Sequence, residues 1–321
     1  MLYNRTLIIM AGYKKICLVV LAGMLLFSCK TKKDVYLFTS FNEPASAGLR
    51  LLYSHDAYHW TDLNHIFIKP EVGDAKIIRD PSIEQGPDGI YHLVWTTGWK
   101  NDTGIGYAES SDLIHWSPEQ HLNVMADEPT AVNAWAPELF YDDTQNQFII
   151  TWASTVPFRF AKGEEDENNN HRLYYTITKD FKTFTPAKLF LDPGFSVIDP
   201  EIVKIAEGKY VLVMKDNTRP NRNILVAFSN NPLGPYTNYS KRFTEMYSEG
   251  PTITKAGKNW LIYYDSYRLK KFGCMRTTDF KTFTNIADSV SVPQGHKHGT
   301  IFKVNEKTLK NLKLAAASTA N

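Results

Sequence analysis

The chain has 321 residues, of which 36 are Lys or Arg and 34 are Asp or Glu, so its formal net charge is only +2. It carries no basic block and no recognisable nucleic-acid-binding module, and we expect no nucleic-acid partner. Aromatic residues make up 13% of the chain, a content that suits a β-rich core as well as stacking against sugar rings.

The N-terminal segment has the pattern of a secretion signal. Lys14 and Lys15 precede an apolar run at residues 16–27, which is shorter than the roughly 20 residues that span a bilayer. The run closes on Cys29 in a sequence that resembles a bacterial lipobox, whose cysteine is lipidated. We therefore expect residues 1–29 to be a signal peptide, and the protein to be secreted and held on a bacterial outer membrane by that lipid alone. The alternative is ordinary cleavage beside an incidental cysteine.

A polar turn followed by an aromatic residue recurs along the rest of the chain. Each copy follows a β-rich run, as expected where a turn ends a strand. The Asp or Asn in the turn can hydrogen-bond its own backbone, which is why turns favour these residues. The copies are residues 54–60, 111–116, 179–184 and 278–283, with a weaker fifth at 229–236.

A second phrase marks the start of each repeat and is followed by an apolar strand. Its copies begin about 50 to 65 residues apart, a period that indicates a repeat architecture. Proline is tolerated at the first positions of a strand, where it need not donate to the ladder. The copies are residues 79–83, 135–139, 198–202, 249–253 and 297–301.

The two phrases together predict an all-β fold, a five-bladed β-propeller over residues 30–306. Four units contain four strands each, and the fifth is split. Residues 298–304 supply its first strand and residues 35–63 the other three, so the last blade is closed by the N-terminal strands plus the C-terminal strand. A β-sandwich is the alternative, but it gives no reason for the repeat. We expect residues 307–321 to be a loose C-terminal tail.

Acidic residues stand at the starts of the repeats, which meet around the axis of a propeller. They are Asp80, Asp199 and Glu249, and His298 holds the corresponding place in the last unit. Buried carboxylates are costly unless they are paired, although Asp before Pro can simply cap a turn. Two carboxyl groups roughly 6.5 to 9.5 Å apart suit inverting glycoside hydrolysis, and a third would raise the pKa of the acid by like-charge repulsion.

The ordered set of these phrases resembles glycoside hydrolase family 43. The set is Arg79-Asp80-Pro81, Trp135-Ala136-Pro137-Glu138, Asp199-Pro200, Glu249-Gly250-Pro251 and His298-Gly299. The resemblance implies a five-bladed propeller and inversion at the anomeric carbon. It makes Asp80 the general base and Glu249 the general acid. Asp199 would raise the pKa of the acid and orient it. The substrate-binding residues that it implies are Arg79, Trp135, Glu138 and His298. Residues 127–133 and the strand end at residues 215–217 are further candidates for the pocket wall, with a solvated loop as the alternative.

The substrate that we expect is a carbohydrate, with a terminal α-L-arabinofuranosyl unit removed from an oligosaccharide or polysaccharide. A β-xylosidase or β-galactofuranosidase would share the same carboxylates. A retaining fructosidase would need an Asn-Asp-Pro phrase near its start, where this chain has Asn42-Glu43-Pro44. A carbohydrate-binding propeller without catalysis is the alternative from another class.

We expect no cofactor to be required. There is no Cys/His cluster with zinc spacing and no calcium-loop pattern. The resemblance permits a calcium or sodium ion in the funnel near His298. Cys274 is the one cysteine left after the lipobox cysteine, so we expect no disulfide. The oligomeric state is left open by the sequence.

Overall fold

The computed structural model describes residues 34–318. The expected signal peptide and Cys29 lie outside the described residues. Among residues 34–318, no helix is long and apolar enough to cross a membrane.

The described chain forms five small antiparallel sheets, each of which is one blade. Blade V contains β1 (Val35–Asn42), β2 (Arg50–Ser54) and β3 (Thr61–Asp62). Blade I contains β4 (Arg79–Gln85), β5 (Tyr91–Thr96), β6 (Ile105–Ser110) and β7 (Gln120–Leu122). Blade II contains β8 (Trp135–Asp142), β9 (Gln147–Ser154), β10 (Arg172–Thr178) and β11 (Lys188–Leu191).

Blades III and IV follow, and the chain then returns to blade V. Blade III contains β12 (Val197–Ala206), β13 (Lys209–Asp216) and β14 (Asn223–Ser229). Blade IV contains β15 (Ser248–Ala256), β16 (Asn259–Ser266), β17 (Lys271–Thr277) and β18 (Thr284–Asn285). Two late strands, β19 (His296–Lys297) and β20 (Ile301–Val304), pair with β1. The predicted five-bladed propeller and its closure by both chain ends are confirmed.

The recurring turn phrase has the same geometry in successive blades. In blade I, Oδ1 of Asp112 accepts from the backbone N–H of Ile114 at 2.9 Å and of His115 at 2.8 Å. The intervening Leu113 is left-handed, with φ of 66°. Its side chain is fully buried in the apolar cluster between blades V and I. The aspartate therefore replaces backbone hydrogen bonds in the turn and lets the chain insert one apolar side chain into the core.

Blade III has three strands where four were predicted. The weaker fifth copy of the turn contains Pro232 and Pro235, which have no N–H to donate to a ladder. The segment beyond it covers the outer edge of β14 with side-chain hydroxyls. The N–H of Val226 donates to Oγ of Ser240, and that of Ile224 donates to Oγ1 of Thr244, both at 3.0 Å. The edge is thus paired, but irregularly.

The predicted loose tail is wrong, because residues from this segment form an α-helix, α1 (Glu306–Ser318). Leu309 and Leu312 lie three residues apart on one face and are buried against the core shared by blades V and I. Alanines at residues 315–317 are good helix formers. The repeat of apolar residues is short and close to the chain end, so it did not stand out from low-complexity sequence.

One end of the propeller collects the starts of all inner strands. In blade III Val197 pairs with Asp216, and in blade IV Ser248 pairs with Ser266. The first strand of a blade therefore starts where its second strand finishes. The loops that follow the second strands lie at this same end, which we call the mouth.

Candidate active site

A shared backbone bulge aims the candidate side chains at the axis. The pairing of β4, β8, β12 and β15 with the next strand slips near the start of each strand. One residue in each slip is left-handed, and a proline follows it. A bulge of this kind bends a strand and redirects a side chain. The left-handed residues are Asp80, Ala136, Asp199 and Gly250, with φ of 49°, 46°, 53° and 55°.

The bulges show that the three acidic residues are not strictly equivalent. Asp80 and Asp199 occupy the left-handed position itself, but Glu249 stands one residue before Gly250. Its counterparts in blades I and II are Arg79 and Trp135. Asp80 and Asp199 therefore line a small cavity of about 20 Å³ at the axis, together with His298. Glu249 is not in this lining but adjoins it through Gly250, and its side chain is 23% exposed.

His298 bridges two carboxylates. Its Nε2 lies 2.8 Å from Oδ1 of Asp80, and its Nδ1 lies 2.7 Å from Oδ2 of Asp265. Burial alone would lower the pKa of His298, but the hydrogen bonds with Asp265 and Asp80 outweigh burial and raise it well above its usual value. We infer that the ring is an imidazolium that donates to both carboxylates.

Asp80 is held as a carboxylate. Burial favours its neutral form, but the hydrogen bond and charge of His298 outweigh this and lower the pKa of Asp80 to about 2. Its second oxygen, Oδ2, accepts from Oγ1–H of Thr96 at 2.8 Å. Both oxygens are thus oriented, and the group is ionised at neutral pH, as a general base must be.

Asp199 is buried beside the backbone of the next blade. Its Oδ2 accepts the N–H of Gly250 at 2.8 Å, a contact that ties it to the residue following Glu249. Burial is the largest cause that raises the pKa of Asp199, and the negative charges of Glu249 and Asp80 raise it further. Lys215 and His298 act in the opposite direction without reversing the shift.

The electrostatic state of Glu249 differs from the expectation. We predicted that a neighbouring carboxylate would raise its pKa; the charge of Asp80 does act in that direction, but the net shift in the free protein is downward. Burial does favour the neutral form, but the positive charges of Lys215 and His298 outweigh it and lower the pKa of Glu249. Nζ of Lys215 lies 2.9 Å from Oε2 of Glu249, and the lysine side chain is only 4% exposed. The sequence analysis named the strand end at residues 215–217 as a candidate pocket wall but predicted no contact of Lys215 with Glu249.

An aromatic wall stands on the side of blades I and II. The guanidinium carbon of Arg79 lies 3.9 Å from the centroid of a Trp99 ring, and the Arg79 side chain also forms an ion pair with Glu43. Trp135 donates its indole N–H to the carbonyl of Trp99 at 3.1 Å, with the two rings edge to face. Trp99 is 50% exposed. Arg79 and Trp135 are therefore brought together, and Trp99 joins them as a residue that the motifs did not include.

Glu138 also lines the axial cavity, two residues farther along its strand than the left-handed Ala136. Burial and the nearby charge of Glu201 raise the pKa of Glu138 well above its usual value. Its Oε1 accepts weakly from Oγ1–H of Thr300 at 3.5 Å. The structure places Glu138 deeper along the axis than Asp80, and its role toward a substrate stays a prediction.

The residues present do not fit a metal ion bound to the His298 ring. Among residues 34–318, one group of three could bring ligand atoms within 4.8 Å of one another, namely Glu249, Asp265 and His298. Both ring nitrogens of His298 already face carboxylate oxygens, and a doubly protonated ring has no lone pair to offer. Calcium moreover prefers oxygen ligands. The calcium or sodium ion that the resemblance permits is untested, and this ring does not support it.

Asp265 and Trp99 were missed, and Lys215 was predicted only as part of a candidate pocket wall, because the signals of these residues are not local. Lys215 and Asp265 lie at the mouth ends of the second strands β13 and β16, where the alternation of buried residues offers no chemical cue. Trp99 follows β5 in the loop 97–104. A search for polar or aromatic residues where each second strand finishes would have found all three, since that end faces the axial carboxylates.

The fold and the site define a five-bladed β-propeller with acidic side chains and one imidazole gathered at one end of its axis. A family model described as "Probable glycosyl hydrolase domain", related to glycosyl hydrolase family 43, matches residues 32–310. The chain belongs to this family of family-43-related glycosyl hydrolases. The resemblance carried by the five motifs is confirmed.

Part of the chain is similar in sequence to a known glycoside hydrolase. The alpha-L-arabinofuranosidase of Bifidobacterium longum subsp. longum is 30% identical over 158 residues, which cover 43% of this chain. The match spans only 15% of that relative's own length.

Two solved structures match most of the chain. The α-L-arabinanase of Cellvibrio cellulosa, complexed with arabinohexaose, covers 81% of this chain and 95% of its own, with 15% identity and a TM-score of 0.58. A thermostable family-43 glycoside hydrolase covers 71% of this chain and 83% of its own, with 15% identity and a TM-score of 0.55. At these identities the two structures show the propeller fold.

Proposed function

We propose that the protein is an inverting glycoside hydrolase in which Asp80 is the general base and Glu249 the general acid. The observation that carries this proposal is the arrangement of Asp80, Asp199 and Glu249 around the His298 imidazolium. Inversion needs one carboxylate that activates water and one carboxyl group that protonates the leaving oxygen from the other side of the sugar ring. Family membership supports the same reaction class.

Asp80 suits the base. It is ionised and held by Thr96 and His298, so it can accept a proton from a water without first reorienting. The imidazolium lowers its basicity, but the same contact fixes the direction in which a free lone pair points. Asp265 in turn holds His298, which makes Asp265 a positioning residue for the base.

Glu249 suits the acid because, unlike the buried Asp199, its side chain is partly exposed at the wall of the funnel. In the free protein it is an anion paired with Lys215. Only a minor fraction of molecules then carries the proton that the reaction requires at neutral pH. Asp199 holds the N–H of Gly250 and so fixes the backbone that follows Glu249.

The finer part of the proposal is the sugar, a terminal α-L-arabinofuranosyl unit. The names of the relative from Bifidobacterium longum and of the matching arabinanase support it. Trp135 and Trp99 offer ring faces and edges for sugar contact, and Arg79 stacks on Trp99. β-Xylosides and β-galactofuranosides use the same carboxylate chemistry and are the substrates to compare.

The test is hydrolysis of a panel of nitrophenyl glycosides by a protein that begins after Cys29. The panel holds α-L-arabinofuranoside, β-D-xyloside, β-D-galactofuranoside and β-D-fructofuranoside. We expect Asp80→Asn to lose roughly 10² to 10⁴-fold in rate, the range of general base catalysis. Glu249→Gln should lose less on nitrophenyl glycosides, whose leaving group needs little protonation, than on an unactivated oligosaccharide. Proton NMR of the first product should show the inverted anomer.

A carbohydrate-binding propeller without catalysis predicts a different result. Such a protein would release no sugar from nitrophenyl glycosides or from oligosaccharides, and Glu249→Gln would leave its affinity for the oligosaccharide nearly unchanged. A retained anomer would instead contradict the inverting assignment of Asp80.

Lipidation of Cys29 and attachment to an outer membrane are separate proposals. Labelling of cells with a radioactive fatty acid should mark the wild-type protein and leave Cys29→Ser unmarked. Label on the Cys29→Ser variant would contradict the proposal.

A further inference from the structure

A cationic and aromatic wall surrounds Glu249 on the side of blades III and IV. From Glu249 the contacts lead to Nζ of Lys215, which lies 5.3 Å from the centroid of the Tyr267 ring. The Tyr267 ring packs edge to face on Tyr247 at 5.9 Å. The guanidinium carbon of Arg268 lies 3.4 Å from the centroid of the Tyr247 ring. The chain of contacts thus runs without a break from the candidate acid to Arg268 at the mouth.

All the charged residues in the loops of this wall are basic. Residues 217–222 and 267–271 follow the second strands of blades III and IV, so they lie at the mouth. They contain no Asp or Glu, and their basic residues are Arg219, Arg222, Arg268, Lys270 and Lys271. The mouth loop of blade II, residues 163–170, is acidic by contrast. The charge at the mouth is therefore divided between its two sides.

The arginines nearest Tyr247 have no acidic partner in the described part of the chain. The backbone carbonyl of Arg222 accepts the N–H groups of Tyr247 and Ser248 at 2.7 and 3.0 Å, and its Nε is buried without a hydrogen-bond partner. The acids two residues to either side of Tyr247 are engaged elsewhere, since Glu245 accepts from Tyr264 and Glu249 pairs with Lys215. Like charges left unpaired beside one another repel, which makes this side of the mouth receptive to an anion.

The stacking of Arg268 on Tyr247 leaves its hydrogen-bonding edge available. A guanidinium that stacks through its face keeps its N–H donors in the plane, in a fork that matches a carboxylate. The aromatic contact also holds the side chain in one place, which reduces the entropy lost when it binds. Arg268 is exposed, so an anion in the funnel mouth can reach it.

We propose that this wall binds the carboxylate of a uronic acid residue on the leaving-group side of the glycosidic bond, with Arg268 as its principal ligand. The proposal rests on the assignment of Glu249 as general acid, because the acid must contact the leaving oxygen and the leaving sugar then lies against the Glu249 wall. The preferred substrate is thus an acidic polysaccharide whose neutral terminal sugar lies over Asp80 at the mouth.

The experiment compares two forms of one polymer. A glucuronoarabinoxylan, whose glucuronic acid residues share the backbone that carries the arabinofuranosyl branches, is used as such and after chemical reduction of its carboxyl groups to primary alcohols. Affinity gel electrophoresis measures binding of each form, and sugar release measures hydrolysis. We expect the wild-type protein to bind the acidic form at least about 5-fold more tightly, a difference that rising salt removes because the contact is exposed.

Three variants at two arginines make the matched comparison. Arg268→Ala should bind both forms with the same affinity, and Arg268→Lys should recover only part of the preference because it keeps the charge without the fork. Arg276→Ala removes an exposed arginine near the far end of β17 and should keep the wild-type preference. Equal binding of both forms by the wild-type protein would overturn the proposal. So would a loss of the preference in Arg276→Ala as large as that in Arg268→Ala.

The outcome separates this proposal from the proposed function. Absence of hydrolysis of either polymer, with the binding preference intact, would contradict the catalytic assignment but keep the carboxylate site. Hydrolysis of both polymers without any preference in binding or rate would support the catalytic assignment and overturn the carboxylate site.

Discussion

Nζ of Lys215 lies 2.9 Å from Oε2 of Glu249, the residue before Gly250 in the lining of the axial cavity. A lysine that is 4% exposed keeps its charge here because Glu249 and Asp199 face it, and their charges outweigh burial and raise the pKa of Lys215. The pair holds the candidate acid in its ionised form. The pH range of activity should therefore depend on a residue that takes no part in proton transfer.

Replacement of Lys215 by Met should extend activity to higher pH. The active form needs Asp80 ionised and Glu249 protonated, so kcat/KM falls as pH rises through the pKa of Glu249. Removal of the lysine charge raises that pKa, by about one unit or more for an opposite charge at this distance. The upper limb of the pH profile should move upward by the same amount.

The control for this shift is Lys209→Met, which removes an exposed lysine from the other end of the same strand. It should leave the pH profile in place. An upper limb that stays unchanged in Lys215→Met would mean that Glu249 does not supply the proton.

Substitution of Gly250 by Ala should reduce stability and activity by more than the strain of a left-handed backbone alone explains. Gly250 has φ of +55°, and a Cβ there would lie 1.9 Å from Cγ of His298. The ring must move, which breaks its contact with Asp80. Gly257→Ala is a matched control with φ of +61° and no atom within 4 Å of its Cβ.

We expect Gly257→Ala to cost about 1 kcal/mol of unfolding free energy, the strain of a left-handed residue, and to keep full activity. Gly250→Ala should cost more in urea unfolding and lose most activity. Similar unfolding free energies and activities for the two variants would show that the close packing of Gly250 on His298 is unimportant.

Glu201 should make the protein less stable as pH rises. Burial raises its pKa to about 8, so the folded state keeps a proton that the unfolded state loses above about pH 4.5. Stability from this group is complete below the unfolded pKa and is lost as pH rises toward 8, with a slope of up to ~1.4 kcal/mol per pH unit. Glu201→Gln cannot ionise and should reduce the fall in stability between pH 5 and pH 8.

Urea unfolding at pH 5 and pH 8 measures this effect. Glu207→Gln removes an acid whose side chain is 80% exposed and should leave the difference between the two pH values as in the wild-type protein. The assignment fails if Glu201→Gln also leaves that difference unaltered.

Truncation of Leu312 should reveal how much α1 contributes to the propeller. Leu312 is fully buried, and Leu312→Ala should cost roughly 2 to 5 kcal/mol, as for other buried leucines. Leu314 lies on the same helix but is 60% exposed, so Leu314→Ala should change unfolding free energy by less than about 0.5 kcal/mol. Equal effects of the two substitutions would mean that the helix is not docked on the core.

The repeat pattern was readable from the sequence because each blade uses the same local solution. An aspartate such as Asp112 accepts the backbone hydrogen bonds of its own turn. The bulges before Pro81 and Pro200 likewise depend on residues that are adjacent in the sequence. These interactions span only a few positions, so their signals survive in the linear chain. Blade III departed from the pattern where Pro232 and Pro235 replaced the regular turn, and the prediction of a fourth strand failed there.

The sequence by itself determined the number of blades, the closure of the ring and the positions of Asp80, Asp199 and Glu249, because short-range turns and strand periodicity encode them. Only the tertiary structure decided the charge states around the axis. Lys215 meets Glu249 across 34 positions of the chain, and Asp265 meets His298 across 33. Electrostatic energies depend on distance and burial in space, and neither quantity can be read from the separation of residues along a chain.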